Sequence, residues 1–149
     1  MGKSEVKIIK LDLSSLQKAV ESLEKALKVA GNQDLAAELD NDAKNAIRAG
    51  VIQNFEFTYE LCWKFTRRWL KENVDVEEAE YPRTRRELFR MAARFGLIKE
   101  PLSWFSYDDA RNLTSHTYDE DKAETVYKTA VDFIEDAKYL LERLQELND

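Results

Sequence analysis

The last stretch of the chain carries the pattern that most limits what it can become. Ala123, Val126, Ala130, Phe133, Ala137, Leu140, Leu144 and Leu147 recur in alternating steps of three and four. That spacing puts them on one face of an α-helix, while Glu, Asp, Lys and Arg fill the other side. A helix with so long an apolar stripe must bury it against other elements. Leu13, Leu16, Val20, Leu23 and Leu27 supply a second stripe of the same kind, closed by Gly31 and the polar stretch to Asn41. Four glycines and two prolines give little punctuation for a many-stranded fold.

The segment from Asp42 to Glu72 reads two ways. Phe55, Phe57, Tyr59, Leu61, Trp63 and Phe65 alternate strictly, which alone suggests a strand. Ile47, Val51, Phe55, Thr58, Cys62, Phe65 and Trp69 also fit a helical stripe, and no turn signal interrupts the segment. Its length decides for helix, with a broad aromatic buried surface. Glu56 and Glu60 lie one turn apart in that aromatic zone; they are either buried and functional or, as such pairs more often are, on the exposed edge, which is the expectation here. A shorter helix follows Pro82, from about Thr84 to Phe95, and stops at Gly96. Another opens at Pro101 or Ser103 and carries Trp104 toward Leu113. Three long and two short helices with short connections predict an all-α protein, an up-and-down four-helix bundle with one or two additional short helices.

A chain of 149 residues suits one domain, residues 1–149. No apolar run approaches the length of a membrane span, and the start has no signal-peptide core, so a cytoplasmic protein with no membrane partner is expected. Val6 stands where a myristoylation motif needs Ser or Thr. One cysteine, Cys62, and one histidine, His116, exclude an intrachain disulfide and a tetrahedral nitrogen–sulfur metal site, although carboxylates could still recruit magnesium. The net charge of −6 argues against nonspecific coating of nucleic acid by the whole surface. Yet Arg83, Arg85, Arg86, Arg90 and Arg94 stand against the single acid Glu87 in their stretch. Such a face is either simply solvated or holds a phosphate backbone, with Arg83, Arg86 and Arg90 as the RNA-binding candidates.

Several chemically capable residues coincide in Arg111-Asn112-Leu113-Thr114-Ser115-His116-Thr117-Tyr118. On one continuous helix Arg111 and His116 would stand about 140° apart, because each residue turns about 100°. They converge only if the helix breaks between them. Thr114, Ser115 and Thr117 favour helix ends, Thr117-x-x-Glu120 has capping-box spacing, and Asp119, Glu120 and Asp121 suit the positive end of a following helix. His116 and Tyr118 are therefore expected at a helix–helix junction, with Tyr118 accessible. Taken alone, Arg-x4-His is a weak pattern, and a solitary interhelical histidine is more often a packing residue.

Arg111-x4-His116-x-Tyr118 resembles the Arg-x4-His-x-Tyr signature of HEPN toxins paired with minimal nucleotidyltransferases. The likeness extends to Phe55-Glu56-Phe57-Thr58-Tyr59-Glu60-Leu61-Cys62-Trp63-Lys64, to Pro82-Arg83 with Leu88-Phe89-Arg90, and to Phe95-Gly96-Leu97-Ile98, which are similar to nucleotidyltransferase substrate-binding proteins. It covers nearly the whole chain. The resemblance implies a HEPN-type bundle that forms a homodimer with two Arg/His motifs near each other. It implies a metal-independent endoribonuclease without cofactor, acting on RNA and silenced when a nucleotidyltransferase antitoxin transfers adenylate from ATP to Tyr118. Arg111 and His116 would be catalytic. Asn112 would orient the histidine or hold a phosphate oxygen, or be only a polar residue at a helix end. The competing implication is a non-catalytic substrate-binding subunit of a two-component nucleotidyltransferase; the chain itself lacks the Gly-Ser and Asp-x-Asp arrangement of a transferase catalytic domain.

Overall fold

The computed structural model describes residues 10–75, 77 and 81–148. Among the described residues six α-helices follow one another: α1 (Ser14–Ala30), α2 (Gln33–Glu38), α3 (Asn41–Asn73), α4 (Arg85–Arg94), α5 (Pro101–Leu113) and α6 (Glu120–Glu146), with a 3-10 turn at Thr114–His116 between the last two. Among the described residues there is no strand.

Cross-helix bonds give the helix directions. The Thr58 hydroxyl donates to the Ala19 carbonyl and the Ser22 hydroxyl to Asn54, so α1 and α3 run antiparallel. Lys138 pairs with Glu24, and the Asn148 side chain grips the backbone of Leu11 through both its oxygen and its nitrogen, so α1 and α6 are also antiparallel. On α5, Asp108 meets Tyr59, Arg111 meets Glu60 and Thr114 just beyond meets Glu56, which sets α5 antiparallel to α3. Helices α1, α3, α5 and α6 thus form an up-and-down four-helix bundle, with α2 and α4 as the additional short helices.

The aromatic alternation in α3 resolves as helical. Phe55, Tyr59, Cys62 and Phe65 face inward with Thr58 and Thr66, whereas Phe57 is 60% exposed. Phe133 of α6 sits at the centre of the core, its ring centroid 5.1 Å from Phe55, 5.0 Å from Tyr107 and 5.6 Å from Trp104, all edge-on. Edge-to-face pairs place the positive rim of one ring on the negative face of the next. Phe89 of α4 stacks on Trp104 at 5.0 Å and joins the short helix to the same core. Beyond α4, Gly96 takes φ 77° while the Leu97 N–H donates to the Ala92 carbonyl, the left-handed helix ending that glycine adopts without penalty.

Two local expectations are corrected. The stretch after Gly31 contains α2, capped by the Asn32 side chain on the Leu35 N–H. At six residues it is too short to display a helical period. The helix after the motif is capped by Asp119, not by a Thr117–Glu120 box: the Asp119 carboxylate accepts from the N–H groups of Asp121 and Lys122 at 3.0 and 3.3 Å. A carboxylate at that position also meets the positive end of the helix dipole.

Candidate functional site

Arg111 lies in the last turn of α5, which ends at Leu113. The chain tightens into the 3-10 turn and reaches α6 through Thr117, Tyr118 and Asp119. The Thr114 hydroxyl lies 2.7 Å from the Arg111 carbonyl and 3.1 Å from Glu56, its one proton shared between the two acceptors. That side chain thus adds a second donor to the carbonyl that the Thr114 N–H already meets, and fastens the turn to α3.

Arg111 points at α3: its Nε donates to Glu60 Oε2 at 2.9 Å, and Nη2 stands 3.8 Å from Glu56. His116 and Tyr118 lie exposed, ring centroids 6.1 Å apart and nearly edge-on, with Tyr118 85% exposed. Among the described residues no hydrogen bond joins His116 to Arg111. Asn112 is exposed as well.

Glu60 is the hub that sequence reasoning put on an exposed edge. Its carboxylate, 24% exposed, takes Arg111 on one side and both terminal nitrogens of Arg85 on the other, at 3.0 and 3.2 Å. Arg85 also reaches Asp108 at 3.3 Å, where the Tyr59 hydroxyl donates at 2.9 Å, and its guanidinium lies 4.4 Å from the centre of the Trp63 ring. Burial pushes the Glu60 carboxyl up, but the Arg85 and Arg111 guanidiniums outweigh it and hold it below the usual carboxylate range. Burial lowers Arg85 in turn, and its bonds to Glu60 more than reverse that, so it stays a cation. The usable signal for Glu56 and Glu60 was their place among aromatics: a carboxylate there needs a cation. Which cation answers it is decided by the fold, since Arg85 and Arg111 lie 25 and 51 residues away.

The basic stretch divides. Arg85 turns inward, whereas Arg83 and Arg90 are exposed and line, with Arg94, Tyr81 and Pro101, a cleft of about 830 Å³. Arg86 and Arg90 lie over the Phe105 ring at 4.7 and 5.0 Å, and Arg86 approaches Asp109 at 3.6 Å. A smaller cleft of about 300 Å³ runs along Gln53, Glu56, Phe57, Glu60, Leu61, Lys64 and Arg111. Cys62 is fully buried and burial pushes its thiol up, which leaves it inert as a nucleophile. Among the described residues, no helix is long and apolar enough to cross a membrane.

A curated protein of Haemophilus influenzae named "Probable ribonuclease HepT" is 36% identical over 139 residues, spanning 93% of this chain and 95% of that protein. A solved Haemophilus influenzae structure, described as revealing the fold of a substrate binding domain of a nucleotidyltransferase, superposes with a TM-score of 0.84 at 35% identity; the match covers 90% of this chain and 99% of that one. A Thermus thermophilus crystal structure matches with a TM-score of 0.67 at 27% identity, over 87% and 98% of the two chains. The family described as "Nucleotidyltransferase substrate binding protein like" matches residues 11–146, and with the bundle and its interrupted fifth helix in place, the chain belongs to that family.

Proposed function

We propose that the chain is the HEPN toxin of a toxin–antitoxin pair, an endoribonuclease that works without a metal and is silenced by adenylation of Tyr118. The observation that carries this reading is the interrupted helix, which displays His116 and Tyr118 to solvent while Arg111 stands beside the turn on a carboxylate support. The relative named as a ribonuclease supports the same activity.

The chemistry suits these residues. RNA brings its own nucleophile, the 2′-hydroxyl. It attacks the adjacent phosphorus and the bond to the 5′-oxygen breaks, leaving a cyclic phosphate and a free 5′-hydroxyl. His116, with a reference pKa of about 6.5, exchanges a proton with the 2′-oxygen or the leaving 5′-oxygen. Arg111 remains cationic and stabilises the added charge on the phosphate. Asn112 orients the histidine or holds a phosphate oxygen, and Arg83, Arg86 and Arg90 bind the flanking backbone. The partner nucleotidyltransferase moves adenylate from ATP to the Tyr118 oxygen with release of pyrophosphate. The modification puts bulk and negative charge where a phosphate must sit. Two copies of the chain pair and bring two motifs together. Phe57, exposed on α3 next to half-buried Leu61 and the Arg111 cleft, supports such a contact.

The second reading, a non-catalytic subunit that binds substrate for a separate nucleotidyltransferase, is favoured by the description of the Haemophilus structure and of the family. Expression alone separates the two. A toxin arrests growth and its purified form cleaves total RNA in EDTA, whereas a substrate-binding subunit is harmless and leaves RNA intact. Cleavage that vanishes in EDTA and returns with magnesium would overturn the mechanism above.

A further inference from the structure

We propose that Glu60, itself fixed by Arg85, is a positioning residue that sets the orientation of the Arg111 guanidinium toward a phosphate. The inference rests on Arg111 being the phosphate-binding cation of the function proposed above.

Arg111 is a long, flexible side chain on the final turn of a helix, one-third exposed. Left alone it would sample many rotamers. Glu60 takes its Nε–H at 2.9 Å, the inner edge of the guanidinium. Among the described residues Nη1 has no hydrogen-bond partner, so one terminal nitrogen stays available to an anion while the plane is held from behind. Holding the inner edge is useful only if the holder is itself rigid. Arg85 supplies that rigidity: it meets Glu60 fork to fork, lies over the Trp63 ring and is anchored again at Asp108. Orientation therefore passes from α4 through α3 to α5. The same contact has an opposite reading, in which Glu60 competes with the RNA phosphate for Arg111. The two differ in sign: loss of a support lowers turnover, while loss of a competitor tightens substrate binding.

The experiment compares full-length wild type with Glu60→Gln and Arg85→Lys, by steady-state cleavage of a defined single-stranded RNA and by NMR exchange of the arginine Nε–H signals. Glutamine removes the charge and replaces one of the two acceptor oxygens with an NH2 that donates, so the Arg85 fork on both oxygens and the Arg111 bond cannot be kept together at full strength. Glu60→Gln should lower kcat by about ten- to a hundredfold with KM changed by less than about twofold, while the circular dichroism stays that of the wild type. The Arg111 Nε–H, slow to exchange in wild type, should exchange freely in that variant. Arg85→Lys keeps the charge but loses the fork and should show a smaller loss of the same kind; it also serves where Glu60→Gln folds poorly. Unchanged kcat, or a lower KM with kcat preserved, overturns the proposal. So does a fast-exchanging Arg111 Nε–H in wild type, whatever the activity. A wild type that cleaves no RNA yet protects its Arg111 Nε–H through Glu60 sinks the ribonuclease reading and leaves the hold on the guanidinium standing.

Discussion

Tyr118 and His116 are neighbours in space as well as in sequence, and the chemistry proposed for them is separable. A phenol with a reference pKa of about 10 is a poor proton carrier near neutrality, whereas an imidazole suits that task. Tyr118→Phe should keep most of the RNA cleavage and lose silencing by the partner transferase and ATP. His116→Ala should lose cleavage and still gain the mass of one adenylate. Intact mass and total-RNA cleavage read both, and adenylate gained by Tyr118→Phe would move the acceptor elsewhere. Glu60 has a separate signature in acid. Its folded pKa lies below the ordinary 4.5 because two guanidiniums outweigh its burial. A depressed carboxylate contributes stability above its unfolded pKa and loses it as pH falls through the folded value. Wild type should therefore lose urea stability below about pH 4.5 more steeply than Glu60→Gln, and equal slopes would contradict the ion-pair account.

At the scale of elements, the start of α6 is the joint most open to test. Asp119 caps it directly after Tyr118, so Asp119→Ala should cost about 1 kcal/mol in urea unfolding. The expected choice of Thr117 as cap failed because Thr and Asp both cap well and only the path of the chain selects between them. The long helices were legible, since each repeats its apolar face over many turns. In α3 the period of two ran beside the helical one, and only length separated them. The cluster of Glu56, Glu60, Arg85 and Arg111 was half legible. Charged residues inside an aromatic stretch signal a partner, but partners on three helices cannot be read from local spacing.

The whole molecule is a bundle whose centre is aromatic. Phe133 contributes to that centre from α6 and touches rings on α3 and α5. Phe133→Ala should destabilise by about 3–5 kcal/mol, seen as a lowered denaturation midpoint with the cavity left among Phe55, Trp104 and Tyr107. Light scattering at micromolar concentration should give twice the 17.4 kDa chain mass. A monomer alone would speak against a shared site.

The carboxylate of Glu60 stands between two guanidiniums, and that arrangement carries a consequence for the history of such chains. A mutation that neutralises Glu60 takes the shared carboxylate from between two guanidiniums, and one that removes Arg85 leaves Glu60 and Asp108 without the cation that joins them. Neither change is an easy first step. In an alignment of relatives, positions 60 and 85 should therefore change together around a constant Arg111, lineages that lose the acid having also given up the base that forks onto it, while the surface acids of α6 drift one at a time.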